Sequence, residues 1–408
     1  MSDQFIFWDL ETTGRNDKYD QITQVGAVLT NKNFEVKDKL EIHSKLREGK
    51  WFEPGALITT GVDPINLFKN NYPNYYEASA QLYETFQQWS SPSAIFIGFN
   101  NINFDEPFLR QALYQNLLPE LYMTVTSNNT RMDVFEILRL VSVYSPEHIK
   151  FNQDDQGYPI LKLDQIFKLN NIAINYEAGP HDAVFDSLVT LELNKILSIR
   201  CPQIWNAAYD FRLRETPKKF MINNSVFTNT TFWGRRPTIK AQTLIGGIPG
   251  KNHHYLVYNL LFDPKNLQDL DDKELLKKMN DGAKRICEVF DGSKSKTLLS
   301  ESYCFKDSKF AEIGIDELRL RANFIKTNEK FCSRLIQLHL DNQKQWPEPF
   351  NIEERIFESF PSPQDKKLMI EFHTAPNTKK YEVSKLFKDE RYKELAIRII
   401  YEIAPQTL

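Results

Sequence analysis

The run Phe5-Ile6-Phe7-Trp8-Asp9-Leu10-Glu11-Thr12-Thr13-Gly14 constrains this chain more than any other stretch. Apolar and aromatic residues lead into two carboxylates one residue apart, and Thr-Thr-Gly closes the run. Such a segment, bounded by a turn signal, predicts a buried strand. Side chains i and i+2 leave a strand from the same face. Asp9 and Glu11 therefore point the same way from its end. Two like charges aimed at one spot repel unless a cation or a proton lies between them. Carboxylate oxygens are hard ligands suited to Mg²⁺ or Mn²⁺. From this stretch alone, a solvated strand end with two surface acids fits equally well.

A chain of 408 residues allows two or three domains, each with its own core. Its 41% hydrophobic and 26% charged content belongs to a soluble globular protein rather than a disordered or membrane one. No apolar run approaches a membrane span, and the N-terminus lacks a basic-then-apolar leader. Cys201, Cys287, Cys304 and Cys332 show no C-x-x-C spacing, which predicts free thiols in a reducing cytoplasm. The net charge of −3 hides an asymmetry. Residues 1–199 carry −10 and residues 200–262 carry +7. An acidic half beside a basic neck fits a metal site next to a polyanion track.

Residues Gln21–Thr30 and Val36–His43 predict two further strands in an antiparallel start, followed by a loop-rich section holding Ala56-Leu57-Ile58-Thr59-Thr60. Tyr76–Trp89 has helical spacing, and Ala94–Phe99 is a short apolar strand that runs into Asn100-Asn101-Ile102-Asn103-Phe104-Asp105. Asp105 thus falls at a strand-to-helix junction. Arg131–Tyr144 and Lys162–Leu169 predict helices, and Gly179-Pro180-His181-Asp182 opens a long one reaching Arg200, with Asp182 as its N-cap. His181 and Asp186 lie about 140° apart on a helix. They reach one site only if His181 sits on the incoming loop. Beyond residue 200, Phe220–Ile222, Thr230–Trp233 and Tyr255–Leu260 are β-prone, Glu274–Val289 and Ile325–His339 are helical, and from Pro347 onward there is no strand pattern, only helical segments such as Asp389–Tyr401.

The first 200 residues therefore offer Asp9, Glu11, Asp105, His181 and Asp186, in the order D-x-E, D, H-x4-D. Each alone has a dull explanation: a helix cap, a solvated acid, a structural histidine. Together, each at a strand end or helix start, they resemble the DEDDh exonucleases with a ribonuclease H-like core. Pro54-Gly55-Ala56-Leu57-Ile58-Thr59-Thr60-Gly61, Gly98–Glu106 and Asn129-Thr130-Arg131-x-Asp133 narrow the resemblance to the bacterial exodeoxyribonuclease I family. It is close over residues 5–200 and collinear but looser afterwards. The resemblance implies an α/β ribonuclease H-like exonuclease domain at 1–199, an SH3-like DNA-binding domain at 200–347 and a short helical domain at 348–408. It also implies processive 3′→5′ degradation of single-stranded DNA to 5′-mononucleotides with Mg²⁺, in DNA repair and recombination. The acidic tail of single-stranded-DNA-binding protein is the partner it suggests, and a monomer the expected state. The C-terminal region is shorter than is usual in the family, and Lys162 stands where the family often has Arg, keeping charge but losing the bidentate fork.

Phosphodiester hydrolysis needs a nucleophilic water and a stabilised leaving oxygen, which two metals about 4 Å apart supply. In this reading Asp9 bridges two Mg²⁺ (or Mn²⁺) ions, Glu11 and Asp186 hold the first, and Asp105 holds the second. His181 takes the proton from water, as an imidazole titrates near neutrality. Glu11 also accepts the terminal 3′-hydroxyl, and Lys162 faces the substrate. By family position Arg110, Arg139 and Arg214 touch DNA. Arg235, Arg236 and Lys240 beside Phe232 and Trp233 have the basic-plus-aromatic composition of sequence-tolerant strand binding. A solvated barrel face has the same composition. An RNA-trimming enzyme and an inactive strand-binding module with a relic site are the alternatives.

Overall fold

A computed structural model describes residues 4–69, 71–344 and 347–408. The chain gathers into two compact units: 1–134, 171–195 and 347–408, and 135–170 with 196–346.

The first unit holds β1 (Gln4–Thr12), β2 (Ile22–Thr30), β3 (Val36–His43), α1 (Pro54–Thr60), α2 (Pro64–Lys69), α3 (Tyr75–Trp89), β4 (Ala94–Gly98), α4 (Asp105–Gln115) and β5 (Thr130–Asp133). The sheet order is β3-β2-β1-β4-β5. The first three strands are antiparallel, as expected, and β4 and β5 run parallel to β1. Ile6, Trp8 and Leu10 alternate into the core beneath α3 and α4. Phe5 and Phe7 face the other way, and Phe5 stacks on Phe34 with ring centroids 5.0 Å apart. Every residue of β4 is buried, as a parallel strand covered on both faces requires. A reciprocal capping box of Asn74 and Glu77 starts α3. Residues 54–60 are a helix and not the expected loop. Pro54 opens α1, and Gly61 ends it in the left-handed region (φ 64°), donating its N–H to Leu57 O.

The C-terminal helices Pro363–Thr374, Asn377–Ser384 and Glu390–Ile403 belong to this unit. Phe372, Leu395 and Ile399 join one hydrophobic core with Leu109, Leu113 and Tyr114 of α4. Tyr114 Oη donates to Ile352 O at 3.0 Å, and Arg47 Nε donates to Glu402 at 2.7 Å. Boundaries at 199 and 347 follow the texture of the chain, whereas compactness divides it differently. Residues 348–408 bury a common core with the sheet, and residues 135–170 group with 196–346.

The second unit holds α5 (Val134–Tyr144), most of which lies in it, the small hairpin β6 (Asn152–Gln153) and β7 (Pro159–Ile160), and α6 (Leu163–Leu169). Its five-stranded antiparallel sheet, ordered β11-β10-β9-β8-β12, comprises β8 (Phe227–Trp233), β9 (Arg236–Gly247), β10 (His254–Asn259), β11 (Cys287–Asp291) and β12 (Leu299–Ser300). Ala241, Leu256 and Tyr258 pack with Leu318, Ala322 and Ile325 of the helix Ile315–Thr327.

Several expected elements differ. Phe220–Ile222 lies in the helix Thr216–Asn223, whose buried residues Pro217 and Met221 are four apart, a helical spacing that the three-residue apolar run by itself does not show. The helix expected over 274–289 stops at Met279, and Cys287–Asp291 instead pairs with β10 as an edge strand. Asn328 interrupts the helix expected over 325–339 and caps the next one, accepting from Phe331 N at 3.1 Å. Arg131–Asp133 is strand, not helix. All four cysteines are buried free thiols. Among the described residues no helix is long and apolar enough to cross a membrane.

Candidate active site

Asp9 and Glu11 stand at the end of β1, on the face opposite Trp8 and Leu10, as the alternation of the strand demands. Asp9 pairs across the ladder with Gly26 of β2. A Cβ on Gly26 would come within 2.0 Å of the Ala183 carbonyl carbon. Glycine there lets the start of α7 (Ala183–Arg200) lie directly on the strand beside Asp9. Ser187 Oγ donates to Gly26 O at 3.0 Å and locks the crossing.

The loop before α7 carries His181, as the Gly-Pro turn predicts. His181 has a left-handed backbone (φ 69°), and its N–H donates to Asp186 Oδ2 at 3.2 Å. A non-glycine residue held there is strained, and such strain persists only where the surroundings impose it. Asp182 Oδ1 accepts from Val184 N (3.1 Å) and Phe185 N (3.0 Å), confirming it as the cap. Gln24 of β2 ties this turn to the sheet: it donates to Asp182 Oδ2 at 2.7 Å and accepts from Ala183 N at 3.2 Å. Ligand atoms of Glu11, His181 and Asp186 lie within 4.8 Å of one another.

Asp105 comes in from the β4–α4 corner, and its Oδ1 accepts from Leu10 N at 3.0 Å. The fit to a divalent cation is electrostatic. Burial, reinforced by Asp105, Asp186, Glu11 and Asp182, drives the Asp9 carboxyl well above its ordinary range. Glu11 is pushed up to about 9 by burial and then by Asp186, Asp105 and Asp182. Asp105 is pushed up to about 8, mainly by burial, against its hydrogen bond from Leu10. Carboxylates that raise one another in this way form a site that a bound cation relieves.

The five acidic and imidazole residues expected to form the site are thus brought together in one unit. The expected strand-binding cations have other company. In the first unit the Arg110 guanidinium lies over the Tyr122 ring at 4.7 Å and 3.8 Å from Glu106. In the second unit Arg139, Lys162 and Arg235 line a cavity of about 110 Å³ with Phe135 and Phe232. The Arg139 guanidinium sits 4.5 Å from the Phe135 ring and 4.9 Å from that of Phe232. Arg235 pairs with Asp154 at 3.3 Å, Arg236 donates to Gln156, and Arg214 is exposed. Lys240 is buried and pairs with Glu288 at 2.6 Å, so it is a core cation and not part of a strand track. Gln24, Gly26 and Asp182 tie the start of α7 to β2 beside these residues, and the D-x-E, D, H-x4-D pattern does not contain them. A lone glycine within a strand pattern is the sequence signal for the close approach at Gly26.

Residues 6–194 match the family model described as Exonuclease. Exodeoxyribonuclease I of Buchnera aphidicola subsp. Schizaphis graminum is 25% identical over 424 aligned positions, covering 97% of this chain and 82% of that protein. A crystal structure of Escherichia coli exonuclease I in complex with a dA16 oligonucleotide superposes with a TM-score of 0.83 at 20% identity, covering 100% of this chain and 88% of that one. An ExoI/SSB-Ct complex superposes with a TM-score of 0.80 at 19% identity, again over 100% and 88%. Residues 6–194 therefore match an exonuclease family model, in a chain that shares the exonuclease I fold and is similar along 97% of its length to a protein named exodeoxyribonuclease I.

Proposed function

We propose that this protein is a 3′→5′ exonuclease that hydrolyses single-stranded DNA to 5′-mononucleotides, with Asp9, Glu11, Asp105, Asp186 and His181 as its site. The observation that carries this reading is the meeting of four carboxylates and one imidazole where β1, the β4–α4 corner and the start of α7 converge. Asp9, which neighbours the other three carboxylates, would be shared between two divalent cations, with Glu11 and Asp186 as ligands for one and Asp105 for the other. Mg²⁺ is the hard ion these oxygens suit, and Mn²⁺ a substitute. When bound, the ions supply Lewis acidity to the scissile phosphate. His181, on the strained loop before α7, receives the proton of the attacking water. Glu11 accepts the terminal 3′-hydroxyl, which selects chain ends. The similarity to exodeoxyribonucleases supports DNA as substrate.

The second unit is the strand-holding part of this proposal. Residues 200–347 form its SH3-like domain, and Arg139, Arg214, Arg235, Arg236 and Lys162, with Arg110 of the first unit, guide the strand. Residues 348–408 form the helical domain. The tail of single-stranded-DNA-binding protein is a partner, suggested by the ExoI/SSB-Ct structure. The protein acts as a monomer in the cytoplasm.

Release of mononucleotides from labelled single-stranded DNA and from the matching RNA, with Mg²⁺ and with EDTA, tests the function. Mg²⁺-dependent turnover of DNA from the 3′ end is expected, and preferential turnover of RNA would move the reading to an exoribonuclease. Asp9→Ala should abolish hydrolysis while strand binding survives. Parallel loss of binding would make the carboxylates structural.

A further inference from the structure

The segment Asn129-Thr130-Arg131-x-Asp133 has no place in the chemistry above, yet the structure puts it against the one site carboxylate that arrives from a turn. Asp105 is the first residue of α4, directly after the β4–α4 turn in which Asn100 takes a left-handed backbone (φ 64°). A Cβ on Gly98 would come within 2.5 Å of the Asn101 Cβ, so the turn is folded tightly onto its own strand. Asp133 pairs with Gly98 across the β4–β5 ladder, and its Oδ1 accepts from Asn100 N at 2.8 Å. Two residues earlier on the same side of β5, the Arg131 guanidinium meets the Glu106 carboxylate, with side chains only 10% and 1% exposed. Thr124 Oγ1 donates to the same carboxylate at 3.1 Å. Asn129 seats the strand itself, accepting from Ala94 N at 2.8 Å and donating to Met123 O at 2.7 Å.

We propose that Asp133 and Arg131 are positioning residues that clamp the Asp105 segment on either side, at Asn100 and at Glu106, and so set this carboxylate for cation binding. The inference rests on the reading of Asp105 as a cation ligand. Its physical ground is that Asp105 must be held among acids that repel it. Left to itself, a side chain on a turn would swing away from Asp9 in the absence of the ion. Leu10 N donates to the carboxylate at 3.0 Å, and the backbone on both sides must be fixed for that bond to keep its direction. A buried ion pair such as Arg131–Glu106 contributes little net stability over an apolar pair, so positioning is the role left to it.

Mn²⁺ titration of the DNA-free protein, followed by calorimetry or by the electron paramagnetic resonance signal of free Mn²⁺, reads the effect without requiring turnover. Thermal melting of the same samples shows that each is folded. Asp133→Ala should weaken Mn²⁺ binding about tenfold or more, the usual effect of losing a group that orients a ligand. Asp133→Asn keeps an acceptor for Asn100 N and should restore most of that affinity. Folded Asp133→Ala protein with wild-type Mn²⁺ affinity overturns the proposal, and so does Asp133→Asn as weak as Asp133→Ala, because charge and not position would then be at work. Should Asp133→Ala melt below the assay temperature, Arg131→Lys keeps the charge and loses the fork. It should show the same tenfold weakening, and unchanged affinity there also overturns the clamp. Asp105→Asn separates the two readings. If it leaves Mn²⁺ binding intact, the assignment of Asp105 as a ligand fails. If it weakens binding and the β5 variants do not, only the clamp fails.

Discussion

Glu11 and Asp105 illustrate how much of this site is the cost of burying carboxylates, with repulsion between neighbouring acids added to it. Burial first, then neighbouring acids, push Glu11 up to about 9 and Asp105 up to about 8. A carboxyl with a raised folded pKa holds its proton more tightly when folded. Its contribution to stability is complete at low pH and is lost as pH climbs from the ordinary carboxylate range through those values. Metal-free protein should therefore melt progressively lower between pH 5 and 9 in this part of its profile (about 5 being just above ordinary carboxylates), and Mn²⁺ should raise the melting temperature more at high pH. Glu11→Gln should raise the melting temperature of the metal-free protein at pH about 8. A drop would mean that Glu11 is held by partners and not repelled. His181→Asn should cut turnover by about 10²–10⁴, the usual scale of general-base catalysis. Mn²⁺ affinity should change little, and an unaltered acidic limb of the pH–rate profile would assign the base elsewhere.

At the scale of elements, the site depends on one helix touching one strand. The start of α7 lies on β2 at Gly26, opposite Asp9, and a Cβ there would meet the Ala183 backbone at 2.0 Å. Backbone cannot move aside as a flexible side-chain end can, so Gly26→Ala must lift the helix. Crowding of this kind in a packed interior costs about 1–3 kcal/mol. Gly26→Ala should thus lower the denaturation midpoint while removing most of the activity, because Asp186 and His181 move with the helix. A variant with full turnover would show that the helix start yields without moving its side chains. The same logic explains where local reading failed. Residues 287–291 carry apolar side chains that suit either period, and hydrogen bonding to β10 decides for strand.

Over the whole molecule, charge is divided by sequence, with −10 over residues 1–199 and +7 over residues 200–262. A phosphate track fits the basic stretch, yet two of its arginines already have protein partners: Arg235 on Asp154 and Arg236 on Gln156. An exposed ion pair of this type is weak, so a phosphate competes for it at small cost. Each phosphate neutralised on a single strand contributes about −0.7 to the slope of log K against log salt. Replacing Arg214, Arg235 and Arg236 together with Ala should flatten that slope by up to about two units. It should also shorten the run of nucleotides removed per encounter while a very short oligonucleotide is cleaved at a near-normal rate. An unchanged slope and run length would move the track to Arg110 and Arg139.

What the sequence by itself determined lies within a strand's or a helical turn's reach. Asp9 and Glu11 share a face because strands have a period of two. His181 falls on a loop because Gly179-Pro180 ends what precedes it, and Asp182 caps because a short acid before an apolar helix bonds its free N–H groups. The order of the acids along the chain was legible for the same reason. Tertiary structure alone decided that Lys240 is buried against Glu288, that Arg235 meets Asp154, and that residues 348–408 complete the core beneath α4. Those pairings join positions 48, 81 and more than 200 residues apart. A pairing of that span leaves no periodic trace in either segment, since its energy comes from desolvation and packing that exist only once both segments are folded.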